Sequence, residues 1–497
     1  MTHPPFIILD ENTKVPLYRQ IYETLRRSIL SGEFHAGRQL PASRDLAKQL
    51  GISRMTVLNA YDQLTAEGYL ESKGGAGTFV ANHLPEEFLS APRIERPKEE
   101  PEIPARKLKF TDYGKRILKN SREILFYNQT TPPIPFQHGL AAIDKFPFDV
   151  WTKLANKSYR TLKRQNFGYG EPAGFYPLRE AIAAHLKSVR AVNCLPEQVI
   201  ITSSAQQAFD FIGRIFLESG AEILAENPCY FGVKQSFQTF NAKFIPISVD
   251  EDGFNVAAAI RKSKKAKLAY VTPSHQFPLG ITMSLARRMQ LLEWAQTTGA
   301  FIVEDDYDSE FRYTNRPLPS LQGLDRYNRV LYVGTFSKTM FPSLRLGCIV
   351  VPPDLIEIFT SVRAVSGSQS PLVDQATLAE FISEGHFSRH IRRMRRLYES
   401  RQEILVSEIK KHLAGKLEVK NLVAGMHIVG WLPDGITDKS VAERAAEVGI
   451  KLGTISSHLL TEEKRDGLIL GYTAINEKQI KKGVRQLGNI LEDLLKK

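Results

Sequence analysis

The stretch "VLYVGTFSKTMFPSLRLG", residues 330–347, places Lys338 just past an apolar run that ends in glycine and hydroxyl residues. A lysine is ordinarily a solvated surface charge, so its companions decide what it is for. A sheltered lysine amine forms an imine with an aldehyde. A carboxylate at a strand end can hold a pyridine nitrogen protonated, which makes the ring an electron sink. Asp305 closes the apolar run "AFIVED" and has that position. Tyr307, two residues on, could donate to a ring hydroxyl. Tyr230, after "AENPC", could stack on a ring face, with a core tyrosine as the alternative. Amides that open a helix at Ser204, Ala205 and Gln206 suit a phosphate. Ser337 and Arg345 add a hydroxyl and a guanidinium fork for the same anion. A phosphorylated pyridine aldehyde would use every one of these groups.

The elements that must position them are five β-like runs, "VIIT", "AEILAE", "KLAYVT", "AFIVED" and "VLYVG", each followed by one of these loops. Apolar strands alternating with helical patterns predict a largely parallel sheet covered on both faces. In such sheets ligands bind at the carboxyl ends of strands, where all five loops gather. "GYGEPAGFYPLREAIAAHL", "TSSAQQAFDFIGRIF", "VTPSHQFPLG", "VEDDYDSEFRY" and "GTFSKTMFPSLRLG" follow in the order and spacing of the fold-type I aminotransferases, which this part of the chain resembles. The resemblance implies pyridoxal 5′-phosphate (PLP) as cofactor, with Lys338 as its covalent attachment. It also implies a homodimer in which Tyr169 of "FGYGEPAG" reaches the neighbour's cofactor phosphate.

The sequence departs from that family in two ways. Phe277 of "SHQFP" stands where aminotransferases carry an asparagine that meets the ring hydroxyl, so His275 or Gln276 is expected to substitute. The arginine that clamps a substrate carboxylate opens a strand near the C-terminus of the parent fold. Here that run, "DGLILGYTAI" at 466–475, opens with apolar residues. Arg465 lies just upstream, as a candidate clamp or as a surface arginine. A second arginine, found in some relatives two residues beyond the tyrosine matched to Tyr230, is replaced by Gly232.

The front of the chain has a different logic. "VPLYRQIYETLRRSILSGEF" places Ile21, Leu25 and Ile29 on one helix face, with Gly32 at its end. "LPASRDLAKQLGISRMTVLNAYDQLTAEGYL" predicts two short helices, with Ser43 capping the first, Gly51 at the turn and Ser53 capping the second. Arg54 and Thr56 stand in the first turn of that second helix, the end a recognition helix turns toward DNA. "YLESKGGAGTFV" follows as a two-stranded wing. These seventy residues resemble the GntR family of bacterial regulators. The resemblance implies operator contacts from Arg38, Ser43, Arg44, Ser53, Arg54 and Thr56, with Gly75 on the wing.

The predicted organisation is a winged helix-turn-helix at 1–82, an extended solvated linker at 83–130 rich in proline and charge, and an α/β aminotransferase-like domain at 131–497. A C-terminal α+β subdomain is expected from about 386. As a whole the chain resembles the MocR/GabR-type regulators. That resemblance implies a transcription regulator binding double-stranded operator DNA and sensing PLP or a PLP–amine adduct, an amino acid being another possible effector. The alternative is a working aminotransferase with an accessory DNA-binding head.

Composition sets broad limits. The net charge of +12 permits a polyanionic partner, although residues 1–82 carry nine Lys or Arg against eight Asp or Glu, so pattern and not charge points to DNA. The basic run at 386–401 reads as the solvated face of an amphipathic helix or as a phosphate-contacting surface. Cys194, Cys229 and Cys348 are isolated, which argues against a metal knuckle and suits a reducing cytoplasm. No apolar run reaches membrane-spanning length.

Overall fold

The period-2 and period-3.6 patterns of the chain resolve into two units, residues 1–108 and 109–497, in a computed structural model. It describes residues 7–10, 13, 15–73, 77–85, 109–126, 133–313, 319–420, 423–461 and 466–496. No helix among them is long and apolar enough to cross a membrane.

In the first unit, α1 (Leu17–Leu30) buries Ile21, Leu25 and Ile29. They meet Val57, Ala60, Tyr61 and Leu64, the inner face of α3 (Arg54–Ala66). Between them α2 (Ser43–Leu50) ends on Gly51 at φ 68°, a left-handed conformation that glycine adopts without strain. Ser53 caps α3, its hydroxyl accepting from the Thr56 amide at 3.2 Å. Ser43 does not cap α2: it is the first helical residue, behind Ala42, and its Oγ accepts from Arg54 Nε at 3.3 Å. β1 (Leu70–Lys73) and β2 (Gly77–Val80) form an antiparallel hairpin, Leu70 opposite Val80. Its tip, including Gly75, lies outside the described residues.

The second unit opens with α4 (Asp112–Phe126), inside the segment expected to be extended linker. Thr111 Oγ1 accepts from the Gly114 amide at 3.1 Å and holds the first turn. Arg116 Nε donates to Thr239 O at 2.8 Å, and the Tyr113 ring lies 5.9 Å from Phe240. The proline- and charge-rich flank before it masks this 15-residue helix in the sequence.

α5 (Phe148–Thr161) and α6 (Tyr176–Arg190) lead to β3 (Val199–Thr202), α7 (Ala205–Phe216), β4 (Glu222–Asn227), α8 (Phe231–Thr239), β5 (Lys243–Asp250), β6 (Gly253–Phe254) and α9 (Val256–Lys262). β7 (Leu268–Val271), α10 (Leu285–Thr298), β8 (Phe301–Asp306), α11 (Leu321–Leu324), β9 (Val330–Thr335) and β10 (Gly347–Val350) complete an eight-stranded sheet. Its order is β3-β10-β9-β8-β7-β4-β5-β6. Neighbours from β9 to β5 run parallel, whereas β10 is antiparallel to both β9 and β3. β3 therefore points the same way as β4, β7, β8 and β9, and the five predicted loops leave one edge together.

Alternation explains why these strands are apolar throughout. Ile223, Ala225, Tyr270, Val303 and Val333 face one layer with Phe209 and Val233. Leu224, Ala269, Val271 and Ile302 face the other with Leu291 and Trp294. α12 (Ile356–Val365) and α13 (Leu372–Ser383) precede the 27-residue α14 (His386–His412), which buries Phe387, Ile391 and Met394. Beyond it lie β11 (Glu418–Val419), β12 (His427–Trp431), α15 (Asp438–Glu447), β13 (Gly453–Thr454), β14 (Gly467–Gly471) and α16 (Glu477–Leu495). Their four strands form an antiparallel sheet ordered β11-β12-β14-β13.

Candidate active-site cavity

At the shared carboxyl edge of β3, β4, β7, β8 and β9 lies a cavity of about 380 Å³. Lys338, Asp305, Tyr307, Tyr230, Ser204, Ala205, Gln206, Ser337 and Arg345, all expected in one site, line it together. Ser204 caps α7 by accepting from the Gln207 amide, so the N-terminus of a 12-residue helix opens on the cavity and favours an anion there. Arg345 stands at φ 52°, an uncommon conformation for a residue other than glycine.

The segment "VEDDYD" offers four carboxylates, and the fold sorts them. Glu304 accepts from the amides of Leu321 and Gln322 at 2.8 and 2.9 Å, at the start of α11. Asp306 pairs with the buried Arg190 at 2.8 Å and accepts from Tyr332 at 2.6 Å. Asp308 meets His275 at 3.1 Å. Only Asp305 of the four lines the cavity, and its Oδ2 accepts from Tyr270 at 2.7 Å. Burial pushes its carboxyl up to about 7, against the Tyr270 hydrogen bond and the Lys338 charge, which lower it. The amine of Lys338 donates to Gly139 O at 2.9 Å, and burial lowers its pKa although Asp308 and Asp305 oppose that shift. A lysine eased toward its neutral form is a better nucleophile.

The chemistry of this donor set fits a phosphorylated pyridine aldehyde. A depressed lysine and a buried carboxylate share one cavity with a helix N-terminus. Tyr307 stays protonated, its pKa held well above the usual value by burial and by Asp308 and Asp305, and its hydroxyl donates to His275 O at 3.0 Å. A methyl group on Gly139 would sit 2.9 Å from the Lys338 amine, so glycine keeps that amine's space open.

His275 does not line the cavity. It sits behind Tyr307, its Nδ1 2.9 Å from the tyrosine hydroxyl, and positions that ring instead of meeting a ligand. Gln276 is turned away as well, donating to Glu226 at 3.2 Å and to Pro228 O at 2.9 Å. Phe277 occupies the wall, its ring 5.6 Å from Tyr230 and 5.9 Å from Tyr307. Tyr169 is fully exposed and outside this chain's cavity. Arg465 lies outside the described residues. A side chain at Gly232 would come within 2.5 Å of the Tyr230 ring, so an arginine there would require that ring to shift.

Sequence reasoning missed His138, Gly139, Met426 and His427, which also line the cavity. They come from segments distant in the chain and carry no motif. The one available signal was the "HG" pair at 138–139 after a proline-rich stretch.

Two family models cover the chain. Residues 17–80 match bacterial regulatory proteins of the gntR family, and residues 139–457 match aminotransferase class I and II. Over 97% of its length the chain is 39% identical to the probable rhizopine catabolism regulatory protein MocR of Rhizobium meliloti, 95% of which is covered. The chain belongs to the MocR-type transcription regulators. It is also 29% identical to the HTH-type pyridoxine biosynthesis transcriptional regulator PdxR of Corynebacterium glutamicum, over 94% of both chains. Among solved structures it resembles LysN, the α-aminoadipate aminotransferase of Thermus thermophilus complexed with N-(5′-phosphopyridoxyl)-L-leucine. That likeness has a TM-score of 0.71 and 28% identity, and covers 78% of this chain and 98% of the other.

The DNA-binding head of this MocR-type regulator presents its candidate contacts around the first turns of α2 and α3. Ser53, Arg54 and Arg44 are exposed, and Ser43 and Thr56 half-buried. The Arg54–Ser43 hydrogen bond ties the two helix starts together. Arg38 is half-buried, its guanidinium 4.5 Å from the Phe34 ring. Met55 was not singled out from sequence, yet it is 62% exposed on the same turn.

Proposed function

We propose that this MocR-type regulator holds PLP through Lys338 and reports the state of that cofactor, PLP alone or PLP joined to an amine, to its DNA-binding head. The observation that carries the reading is the pairing of Lys338 and Asp305 across one cavity whose third corner is the N-terminus of α7. When bound, PLP supplies an aldehyde carbon and an electron-withdrawing ring. The chain's own residues would do the rest. Lys338 anchors the group, Asp305 holds the pyridine nitrogen protonated, Tyr307 donates to the ring hydroxyl and Tyr230 covers a ring face. Ser204, Ala205, Gln206, Ser337 and Arg345 take the phosphate. Steady-state transamination is expected to be slow or absent, because no arginine among the described lining residues, apart from Arg345, is placed to orient a substrate carboxylate.

By the same reading the regulator is a homodimer, in which Tyr169 reaches the partner's cofactor phosphate and two heads meet two half-sites. Light scattering giving a monomer at micromolar concentration with PLP bound would exclude it. The central test is Lys338→Ala. The visible absorbance of covalently held PLP should vanish and the response to effector should fail, while operator binding without effector persists. A variant that keeps both the absorbance and the response would remove Lys338 from its assigned role.

A further inference from the structure

The net charge of +12 is unevenly placed. Residues 1–82 carry nine Lys or Arg against eight Asp or Glu, so the DNA-binding head holds almost none of the surplus. Residues 386–401 carry six arginines against one glutamate, and residues 476–486 carry four basic residues against one glutamate. These two stretches, with surpluses of five and three, hold eight of the net twelve positive charges. They form the N-terminal parts of α14 and α16.

Arg389, Arg392, Arg393 and Arg396 recur at i, i+3, i+4 and i+7, which puts them on one face of α14, and all four are exposed. The opposite face buries Phe387, Ile391 and Met394. Two further arginines serve the fold: Arg395 donates to Glu310 O, and the buried Arg401 to Thr473 O. Arg389 donates to Glu384 O at 3.0 Å, and among the described residues none of the four is ion-paired with a carboxylate. α16 runs beside α14 in the same direction, since Thr473 lies just ahead of α16 while Lys416, past the end of α14, pairs with Glu492. Its Lys478, Lys481, Lys482 and Arg485 are exposed at the same spacing. At 1.5 Å per residue, the basic track from Arg389 to the level of Arg485 is about 30 Å long, close to the ~34 Å of one duplex turn.

Like charges three and four residues apart repel, so the helix itself gains nothing from such a face. Further along α14 the same face carries Glu399, Glu403 and Lys410, the mixed signs of an ordinary solvated surface. An unmixed row of arginines is complementary to a polyanion, and the guanidinium fork matches phosphate. Duplex DNA is the polyanion this MocR-type regulator binds, and phosphate contacts supply the sequence-independent part of such affinity. We propose that the arginine face of α14, continued by the basic turns of α16, is a second DNA-contact surface. It holds backbone phosphates, while the winged helix reads bases. The proposal is independent of the cofactor reading, because no residue of this face lines the cofactor cavity.

The test is a fluorescence-anisotropy titration of the full-length protein with a duplex of arbitrary sequence several helical turns long, over a range of salt. One variant combines Arg389→Gln, Arg392→Gln, Arg393→Gln and Arg396→Gln, and a second carries lysine at the same four positions. The glutamine variant should flatten the slope of log affinity against log salt by about 2–4, at ~0.9 per phosphate contact, and bind at least about tenfold more weakly at ~0.1 M salt. The lysine variant should keep the native slope, because charge and not packing is read. A charge-matched control replaces the exposed Arg261, Lys264, Lys265 and Lys267 with glutamine and should keep it too. If the fourfold glutamine variant does not fold, Arg393→Gln with Arg396→Gln should show the same effect at about half the slope change. An unchanged slope, or an equal loss in the lysine variant or the charge-matched control, would overturn the proposal. So would a glutamine variant with native DNA affinity that no longer binds anionic phosphatidylglycerol vesicles, a result that would assign the face to a membrane surface.

Discussion

Asp305→Asn should stabilise the cofactor-free protein and weaken its hold on PLP, because Tyr270 and Lys338 compensate the buried charge only in part. Asp305 is 5% exposed, and burial raises its carboxyl to about 7 in the folded protein. In the unfolded chain an aspartate titrates near 3.9. Between those values the folded site keeps a proton that the unfolded chain has released. Stability therefore falls as pH rises through this window, and the penalty is complete above the folded value. About three pKa units at ~1.4 kcal/mol each set a ceiling of about 4 kcal/mol. The attraction of Lys338 is already contained in that shift, and relaxation of the site around the charge reduces the gain to about 1–3 kcal/mol. Asparagine keeps the shape, and its Oδ1 can still accept from Tyr270. The gain should be present at pH 8 and small at pH 5, where the native carboxyl is already neutral. With PLP the sign reverses. An amide cannot hold the pyridine nitrogen protonated, and a lost charge-assisted hydrogen bond costs about 1.5–3 kcal/mol, roughly 10- to 100-fold in affinity. Thermal unfolding at both pH values, with and without PLP, reads both effects, and an absorbance titration reads the second directly. A cofactor-free variant no more stable than the native protein at pH 8, or one with native PLP affinity, would refute the reasoning.

Gly139→Ala should displace the Lys338 amine and weaken covalent cofactor retention, with a further cost of about 1–2 kcal/mol from a side chain at positive φ; absorbance after dialysis and thermal unfolding measure the two separately. Arg54→Ala should weaken operator binding by about 1–3 kcal/mol if the guanidinium reads a base edge, and leave the PLP spectrum untouched; a mobility-shift titration at fixed salt decides. Arg116→Ala should leave operator affinity without effector and PLP affinity within about twofold, yet reduce the change in operator affinity that effector produces, read from the same titrations with and without effector; an undiminished effector response would show that this contact carries nothing.

The strands and their end loops were legible because fully buried strands must be apolar along their whole length, and each run was punctuated by residues with no place in a core. Lys338, Asp305 and Tyr307 could be found for that reason. What could not be read was long-range. The amine of Lys338 is held by the carbonyl of Gly139, 199 residues earlier, and a backbone acceptor leaves no trace in side-chain pattern. His275 looked like a ligand because it stands in the right loop, but its ring turns back to Tyr307 and Asp308. Ser43 had the composition of a cap, yet the guanidinium of the neighbouring helix claims its hydroxyl. α4 went unseen because the proline- and charge-rich stretch before it set the reading for the whole of residues 83–130.

That last omission concerns the route by which a filled cavity could be felt elsewhere. α8 begins at Phe231, immediately after Tyr230, and Tyr230, Phe231 and Gly232 all line the cofactor cavity. The same helix ends at Thr239, whose carbonyl accepts from Arg116 of α4. A nine-residue helix thus joins the cavity wall to α4. Gln206, in the first turn of α7, strengthens the cavity end by donating to Gly232 O at 2.9 Å. A ligand that presses on Tyr230 or draws on Gln206 is expected to pass part of that displacement along α8 toward Thr239, since packed interiors transmit small shifts. The Thr239–Arg116 contact is where such a displacement is expected to be felt; among the described contacts, a hydrogen bond and the Tyr113–Phe240 packing join α4 to this end of α8. Contacts of that size are worth only about 1–2 kcal/mol together, which is the scale of a typical allosteric coupling. On the proposed reading, the state of the cavity would need no large movement to be read at α4, only a contact weak enough to yield.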